Sequence, residues 1–145
     1  YEYCQENPAN HDTYSEKSWG LTASYTRNDD GSVGYAAHSP DSDRGVVSPT
    51  AAVSSIPYTP EKSLDAMRYF YTDLHDLVWG PAGIYDAYSL DNGEKWAAKK
   101  YLAIDQGPMI VMIENYRSGL IWDLFMGAPE IQNGLDKLGF TYDKE

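Results

Sequence analysis

Residues 101–125 read YLAIDQGPMIVMIENYRSGLIWDLF and form the most hydrophobic segment of the chain. Residues 109–113 are five consecutive apolar residues, so a helix through them is apolar on all its faces. Such a helix is buried on every side in its protein. The pair Gly107-Pro108 indicates a helix start, because proline fits the first turn, where its missing N–H is not needed. The pattern predicts a buried helix over residues 106–117.

Asp105 stands just before this predicted helix and has two interpretations. A carboxylate at the N-terminal mouth of a buried helix is well placed for chemistry. The alternative is that Asp105 only caps the helix, since aspartate is a preferred N-cap residue. At the other end of the segment, Glu114 and Arg117 are three residues apart and are expected to pair with each other.

A second clear helix precedes the hydrophobic segment. Thr59-Pro60-Glu61 places a cap residue, a proline and an acid in the order that starts a helix. Gly80-Pro81 ends it, which predicts a helix over residues 60–78. Its apolar residues follow the i, i+3, i+4 rule and predict one buried stripe: Leu64, Met67, Phe70 or Tyr71, Leu74, Leu77 and Val78.

Three further helices are predicted over residues 49–56, 119–126 and 129–138, with almost no sheet outside small hairpins in the loops. Apolar and amphipathic helices alternating with long loops are typical of an all-α, two-layer helical barrel. Four or five helices are too few to close such a barrel.

Two irregular stretches separate the helices. Residues 26–45 are rich in Gly, Asp, Ser and Asn, with a turn at Asp30-Gly31, and residues 83–100 carry a turn at 91–93. Loops of this length are uncommon in a compact domain unless they have a function. Aligning Gly31 with the central glycine of a calcium loop leaves its first and last positions without the required carboxylates, so no metal site is predicted.

Composition limits the possible functions. The chain has 145 residues, enough for one domain with a core, and a formal net charge of −11, which argues against nucleic acid. No apolar run approaches the roughly 20 residues of a membrane span. The single cysteine, Cys4, excludes an internal disulfide. An acidic chain of this kind fits a secreted or periplasmic protein acting on a neutral ligand, and its first residues read as the interior of a longer protein.

Several long motifs, in a fixed order, resemble one family. They are GLTAS, YAAHSP, GVVSPTAAVSSIPYTPEKSLDAMRYFY, LVWGPAGIYDAYSL and YLAIDQGPMIVMIENYRSGLIWDLFM. Together they are similar to the C-terminal part of the glucoamylase-like hydrolases, which are grouped with the endo-β-1,2-glucanases of glycoside hydrolase family 144. The resemblance covers nearly the whole chain.

The resemblance implies an (α/α)6 barrel, of which residues 1–145 form only the last third as the C-terminal part of a single domain. It implies a bacterial, periplasmic or secreted glycosidase that hydrolyses a glucan, most simply endo-β-1,2-glucan, by an inverting acid/base mechanism without a cofactor. The family's general acid lies upstream, so this chain supplies one wall of the cleft. The expected partners are a glucan and either further copies of the chain or the remaining barrel. The alternative function is a non-catalytic carbohydrate-binding or accessory module.

The resemblance also suggests roles for residues on that wall. Asp105 is the expected catalytic carboxylate. The expected substrate-binding residues are Trp19, Tyr35, His38, Tyr85, Asp86 and Gln106. Aromatic rings suit the flat C–H faces of sugars, and carboxylates and amides suit their hydroxyls. Two residues keep an alternative: Trp19 as an anchor of its loop, and His38 as a structural histidine.

Overall fold

The computed structural model describes residues 1–141, which are mostly helical with three small antiparallel hairpins. The helices are α1 (Glu2–Glu6), α2 (Pro49–Ser54), α3 (Pro60–Thr72), α4 (His75–Val78), α5 (Ala103–Ser118), α6 (Leu120–Met126) and α7 (Pro129–Leu138). The strands are β1 (Ser24–Arg27), β2 (Val33–Ala36), β3 (Trp79–Gly80), β4 (Gly83–Ile84), β5 (Tyr88–Ser89) and β6 (Trp96–Ala97). The prediction of a mainly helical chain with small hairpins in its loops is confirmed.

The hairpins pair β1 with β2, β3 with β4 and β5 with β6. The turn predicted at Asp30-Gly31 joins β1 to β2, and Gly31 has the positive φ of 81° that favours glycine. Strand β5 also forms an isolated bridge with Val47, because Val47 and Tyr88 exchange two backbone hydrogen bonds of 2.9 Å. This bridge joins the start of the α2 segment to the third hairpin.

Helix α5 begins three residues earlier than predicted. Leu102 is its N-cap, and its carbonyl accepts hydrogen bonds from the N–H groups of Asp105 (3.1 Å) and Gln106 (2.9 Å). Pro108 therefore lies inside the helix instead of opening it. Asp105 occupies the first helical turn and is not an N-cap, so the capping interpretation of this residue is wrong.

The helix predicted over residues 60–78 is broken into α3 and α4. The N–H groups of Asp73 and Leu74 both donate to the Tyr69 carbonyl, which ends α3. The break orients Leu74 and Val78 towards the core, where both are buried. The break is two residues long, Asp73 and Leu74, and no glycine or proline in the sequence indicates it. The buried stripe of α3 consists of Ser63, Ala66 and Phe70, not the predicted Leu64 and Met67.

The short helix α1 is not among the helices predicted from the sequence. It is held by tertiary contact, since Cys4 is fully buried in the main core. That core gathers residues from α1 to β5: Cys4, Tyr14, Trp19, Val47, Ala52, Ala66, Phe70, Leu74, Val78, Ile84 and Tyr88.

Helices α5 to α7 expose much of their apolar surface. The exposed large side chains include Ile104, Ile110, Leu120, Trp122, Leu124, Phe125 and Leu138. Within α5 only Asn115 is buried, so the prediction of a helix buried on every side is wrong for residues 1–141. The hydrophobic pattern requires neighbours on all faces, and α5 has neighbours on only some of them. Among residues 1–141, no helix is long and apolar enough to span a bilayer.

Candidate functional site

The backbone around Asp86 is fixed from both sides. Asp86 donates its N–H to the Lys100 carbonyl (2.9 Å), and Ala98 donates to the Ala87 carbonyl (2.9 Å). On the other side, the Asp86 Oδ2 accepts a 2.9 Å hydrogen bond from the N–H of Tyr25 in β1. Asp86 is thus held between the first hairpin and the segment that leads into α5.

Asp105 approaches Asp86 from the first turn of α5. The two carboxyl groups are close enough for Asp105 to affect the pKa of Asp86, and Asp86 is fully buried, with 0 % of its surface exposed. Asp86 Oδ1 and Asp105 Oδ2 are both buried and have no donor on the described part of the chain. Two carboxyl groups can form a hydrogen bond only when one of them carries a proton. We call Asp86 and Asp105 the carboxyl pair.

The environment favours a proton on this pair. Burial raises the pKa of Asp86, and the hydrogen bond with Asp105 and its negative charge add to the effect, bringing the pKa to about 7. The Tyr25 N–H opposes this increase. A carboxyl group with a pKa near neutrality is suited to proton transfer, and such perturbed groups are frequent at functional sites.

Gln106 and Tyr85 lie beside the pair. The Gln106 amide donates to the Ile84 carbonyl (3.1 Å), which fixes the first turn of α5 against β4. The Tyr85 ring packs against that of Tyr101, with centroids 5.4 Å apart. The fold therefore brings together four residues that the sequence placed on one wall of a cleft: Tyr85, Asp86, Asp105 and Gln106.

The three remaining candidates, Trp19, Tyr35 and His38, lie in different environments. Trp19 is buried in the core with an edge-to-face contact to Tyr1 (5.3 Å), which is the arrangement of a loop anchor. Tyr35 is exposed, donates its hydroxyl to the Ala23 carbonyl (3.0 Å) and contacts the Tyr25 ring. Their assignment to sugar binding stays a prediction.

His38 is buried and has a positive φ of 46°. Burial lowers the pKa of His38 and the positive charge of Arg44 adds to this effect, while the backbone of Tyr25 and Ser24 acts in the opposite direction. Both ring nitrogens of His38 are buried and have no hydrogen-bond partner among the described residues. Whether it contacts a sugar stays a prediction.

Sequence reasoning missed the contribution of Tyr25. Tyr25 contributes through its backbone N–H, which donates to Asp86. Every residue except proline has such a donor, so the residue type gives no indication of it. Sequence reasoning also missed a polar cluster around Asp43, which accepts the hydroxyls of Tyr3 (2.8 Å) and Tyr14 and contacts His11 Nε2 (3.1 Å). His11 also contacts Asp91 through Nδ1. These partners are distant in sequence, so no spacing pattern could reveal them.

An apolar groove of about 840 Å³ lies between α3 and α5. Its lining includes Leu64, Met67, Trp79, Met109 and Ile113, together with Tyr101 and Gln106. Within residues 1–141, no group of three or more His, Cys, Asp or Glu side chains is arranged to hold a metal ion.

Comparisons with known proteins agree on one family. A family model described as putative glucoamylase matches residues 1–129. A putative glucoamylase from Bacteroides uniformis is 60 % identical, with a TM-score of 0.86 over 97 % of this chain. An endo-β-1,2-glucanase from Chitinophaga pinensis, solved with sophorotriose and glucose, is 52 % identical, with a TM-score of 0.82 over 94 % of this chain.

A curated relative from Parabacteroides distasonis, an exo β-1,2-glucooligosaccharide sophorohydrolase acting at the non-reducing end, is 40 % identical over 138 residues. This chain spans 18 % of the length of that relative. It spans 32 % of each of the two solved structures. The likeness to them therefore concerns a minor part of larger proteins.

Proposed function

Because the chain belongs to the putative glucoamylase family, we propose that it forms the C-terminal part of a β-1,2-glucan hydrolase. The names of two relatives support this substrate class, since both describe enzymes that act on β-1,2-linked glucose. Endo action follows the glucanase, which is the more similar of the two in sequence. The activity requires the remainder of the domain.

The proposed complete domain is an (α/α)6 barrel, with residues 1–145 forming its C-terminal part. The 32 % share of the solved relatives supports this proposal. The exposed apolar faces of α5 to α7 and the apolar groove also support it. Further helices that pack against them would bury apolar surface that is otherwise exposed to solvent. The second proposed partner is another copy of this chain, through the same surface.

Asp105 is the proposed catalytic carboxylate. The observation that carries this proposal is its position in the carboxyl pair, at the first turn of α5, with one buried oxygen that has no donor on the described chain. In an inverting glycosidase, the acid and the base stand roughly 6.5–9.5 Å apart, leaving room for the attacking water. Two adjacent carboxyl groups leave no such room, so the general acid is expected on another part of the domain.

The other wall residues would bind the sugar. Tyr85 and Tyr35 would provide aromatic surface, and Gln106 would provide an amide next to Asp105. Trp19, His38 and Asp86 belong to the same predicted set but are buried in the described chain, so they would position the residues of this wall. The reaction needs only water and two carboxyl groups, so no cofactor is invoked. A polymeric neutral substrate and an acidic chain fit a periplasmic or secreted location.

The test is Asp105→Asn in the complete enzyme. Asparagine has nearly the same shape but can neither act as a base nor carry a negative charge, so kcat should fall by about 10²–10⁴-fold. The melting temperature should not decrease, because asparagine keeps the shape of the side chain and an oxygen that can accept a hydrogen bond. Glu114→Gln is the matched control: Glu114 lies on the same helix and contacts Arg117 (3.3 Å), and this change should leave kcat within about twofold.

Two outcomes would contradict this function. A wild-type kcat for Asp105→Asn on β-1,2-glucan would show that Asp105 has no catalytic role. A complete protein that binds β-1,2-glucan in calorimetry but releases no sugar would support the accessory carbohydrate-binding module instead.

A further inference from the structure

We propose that Asp86 is a positioning residue that holds one proton between its carboxyl group and that of Asp105, so that the carboxyl pair carries a single negative charge. The catalytic consequence rests on the proposed function of Asp105. The proton itself does not, since it follows from the contacts of this chain alone.

The donors around the pair are too few for two negative charges. Asp86 is fully buried and receives one donor, the Tyr25 N–H, on Oδ2. Its Oδ1 and the Oδ2 of the neighbouring Asp105 are both buried without a hydrogen-bond partner among the described residues. If both groups were ionised, two acceptors would meet with no donor between them, an arrangement that costs free energy in a buried site. A proton on Asp86 turns this contact into an O–H···O⁻ hydrogen bond.

No positively charged group in the described part of the chain neutralises a second negative charge on the carboxyl pair in place of the proton. From α5, the facing group is Asp105 itself, and from β1 it is the neutral Tyr25 N–H. From the segment before α5, the Lys100 carbonyl accepts the Asp86 N–H, while the Lys100 ammonium lies over the Tyr25 ring, 5.4 Å from its centroid. Arg27, further along β1, pairs with Glu94. No cation contacts either carboxyl group among the described residues, in agreement with the raised pKa of Asp86.

This arrangement gives Asp86 a function through Asp105. A protonated Asp86 fixes the Asp105 carboxylate by a hydrogen bond and leaves its other oxygen for water or substrate. When Asp86 ionises, two like charges meet in a buried contact and repel each other. Asp105 would then leave its position, so the orientation of the catalytic carboxylate would be lost on the alkaline side of neutrality.

The direct test is ¹³C NMR of the aspartate carboxyl carbons in the full chain between pH 3 and pH 9. One carboxyl should titrate at about 7, should be absent in Asp86→Asn and should move towards the usual value of about 4 in Asp105→Asn. Asp65→Asn, at an exposed residue paired with Arg68, should leave that signal in place. If every aspartate of the wild-type chain titrates below pH 5, the proposal is wrong.

A second measurement needs no assignment of signals. A group whose pKa is raised by folding contributes stability that is present below its unfolded pKa and is lost as the pH rises through the folded pKa. The wild-type chain should therefore lose stability relative to Asp86→Asn between about pH 4 and pH 7, since asparagine does not ionise. If the difference in the free energy of unfolding between the wild type and Asp86→Asn does not vary between about pH 4 and pH 7, the proposal is wrong.

In the complete enzyme, Asp86→Asn keeps a donor towards Asp105 and an acceptor for Tyr25 without any titration. The ratio of kcat at pH 8 to kcat at pH 6 should rise at least threefold over that of the wild type. An unchanged pH profile would contradict the positioning role. If Asp105→Asn is fully active while the NMR titration is as expected, the proposed function fails and the shared proton stands.

Discussion

Residues 1–98 and helices α5 to α7 differ in how far they bury their apolar side chains. The first region is irregular, with short helices and two-residue strands, yet Phe70 and Tyr88 are fully buried there and pack with ring centroids 5.9 Å apart. The second region is regular helix, yet Leu124 keeps 66 % of its surface exposed. Burial thus depends on which segments meet, and neither regular secondary structure nor apolar composition provides it.

The second region is nevertheless well defined locally. Asn115 is buried and accepts the Trp122 N–H on its Oδ1 (3.0 Å), and Gly119, with a φ of 73°, makes the turn between α5 and α6. Local contacts of this kind fix the path of the chain. They leave the apolar faces of α5 to α7 for a partner.

The largest expected difference between the regions comes from matched truncations. Phe70→Ala should lower the free energy of unfolding by about 3–5 kcal/mol, because it removes a buried ring and leaves a cavity. Leu124→Ala should change it by less than about 0.5 kcal/mol in the isolated chain at a concentration low enough to keep it monomeric, because its side chain is mostly solvated there. Urea unfolding followed by circular dichroism measures both values. Equal losses would show that the second region is as well packed as the first.

The polar cluster of the first region predicts a pH dependence opposite to that of Asp86. Burial alone would raise the pKa of Asp43, but the donors Tyr14, Gly45 and Tyr3 together lower it. A lowered folded pKa means stability that is present above the usual value of about 4 and is lost as the pH falls through the folded value.

Asp43→Asn should therefore cost about 1–3 kcal/mol at pH 7, with the difference from wild type shrinking below about pH 4. Unfolding curves at several pH values measure this. The exposed neighbour Asp41, changed to Asn, is the matched control and should be close to neutral. A constant cost of Asp43→Asn down to pH 3 would show that its hydrogen-bond network does not depend on the carboxylate charge.

The smallest expected effect concerns association through the second region. The apolar surface of α6, with Trp122, Leu124 and Phe125 exposed, should make the isolated chain associate at micromolar concentration. Changing all three to Ser should weaken association at least tenfold, or about 1.4 kcal/mol, as measured by sedimentation equilibrium. A wild-type chain that is monomeric and unfolds cooperatively without a partner would contradict this expectation.

The sequence predicted more of the helices than of the contacts. Helix α7 was predicted at its observed bounds, because Pro129 and Gly139 mark both ends. The break after α3 and the helix α1 were missed, since both depend on burial of Leu74 and Cys4 in a core assembled from distant segments. The expected pairing of Glu114 with Arg117 is confirmed, because residues three apart on a helix are neighbours whatever the tertiary structure.

The carboxyl pair shows where prediction from the sequence stops. The residue types of Asp86 and Asp105 marked both as candidates, and the motifs around them indicated the family. Three features of this site depend on segments that are distant in sequence. They are the contact between the two carboxyl groups, the hydrogen bond from the Tyr25 N–H to Asp86 and the raised pKa of Asp86. Sequence periodicity and capping act over a few residues, so they determine the helices and the turns, while the long motifs carry the resemblance to the family. Burial and charge interactions act through space, so only the tertiary structure decided which carboxylates share a site and which apolar faces stay exposed.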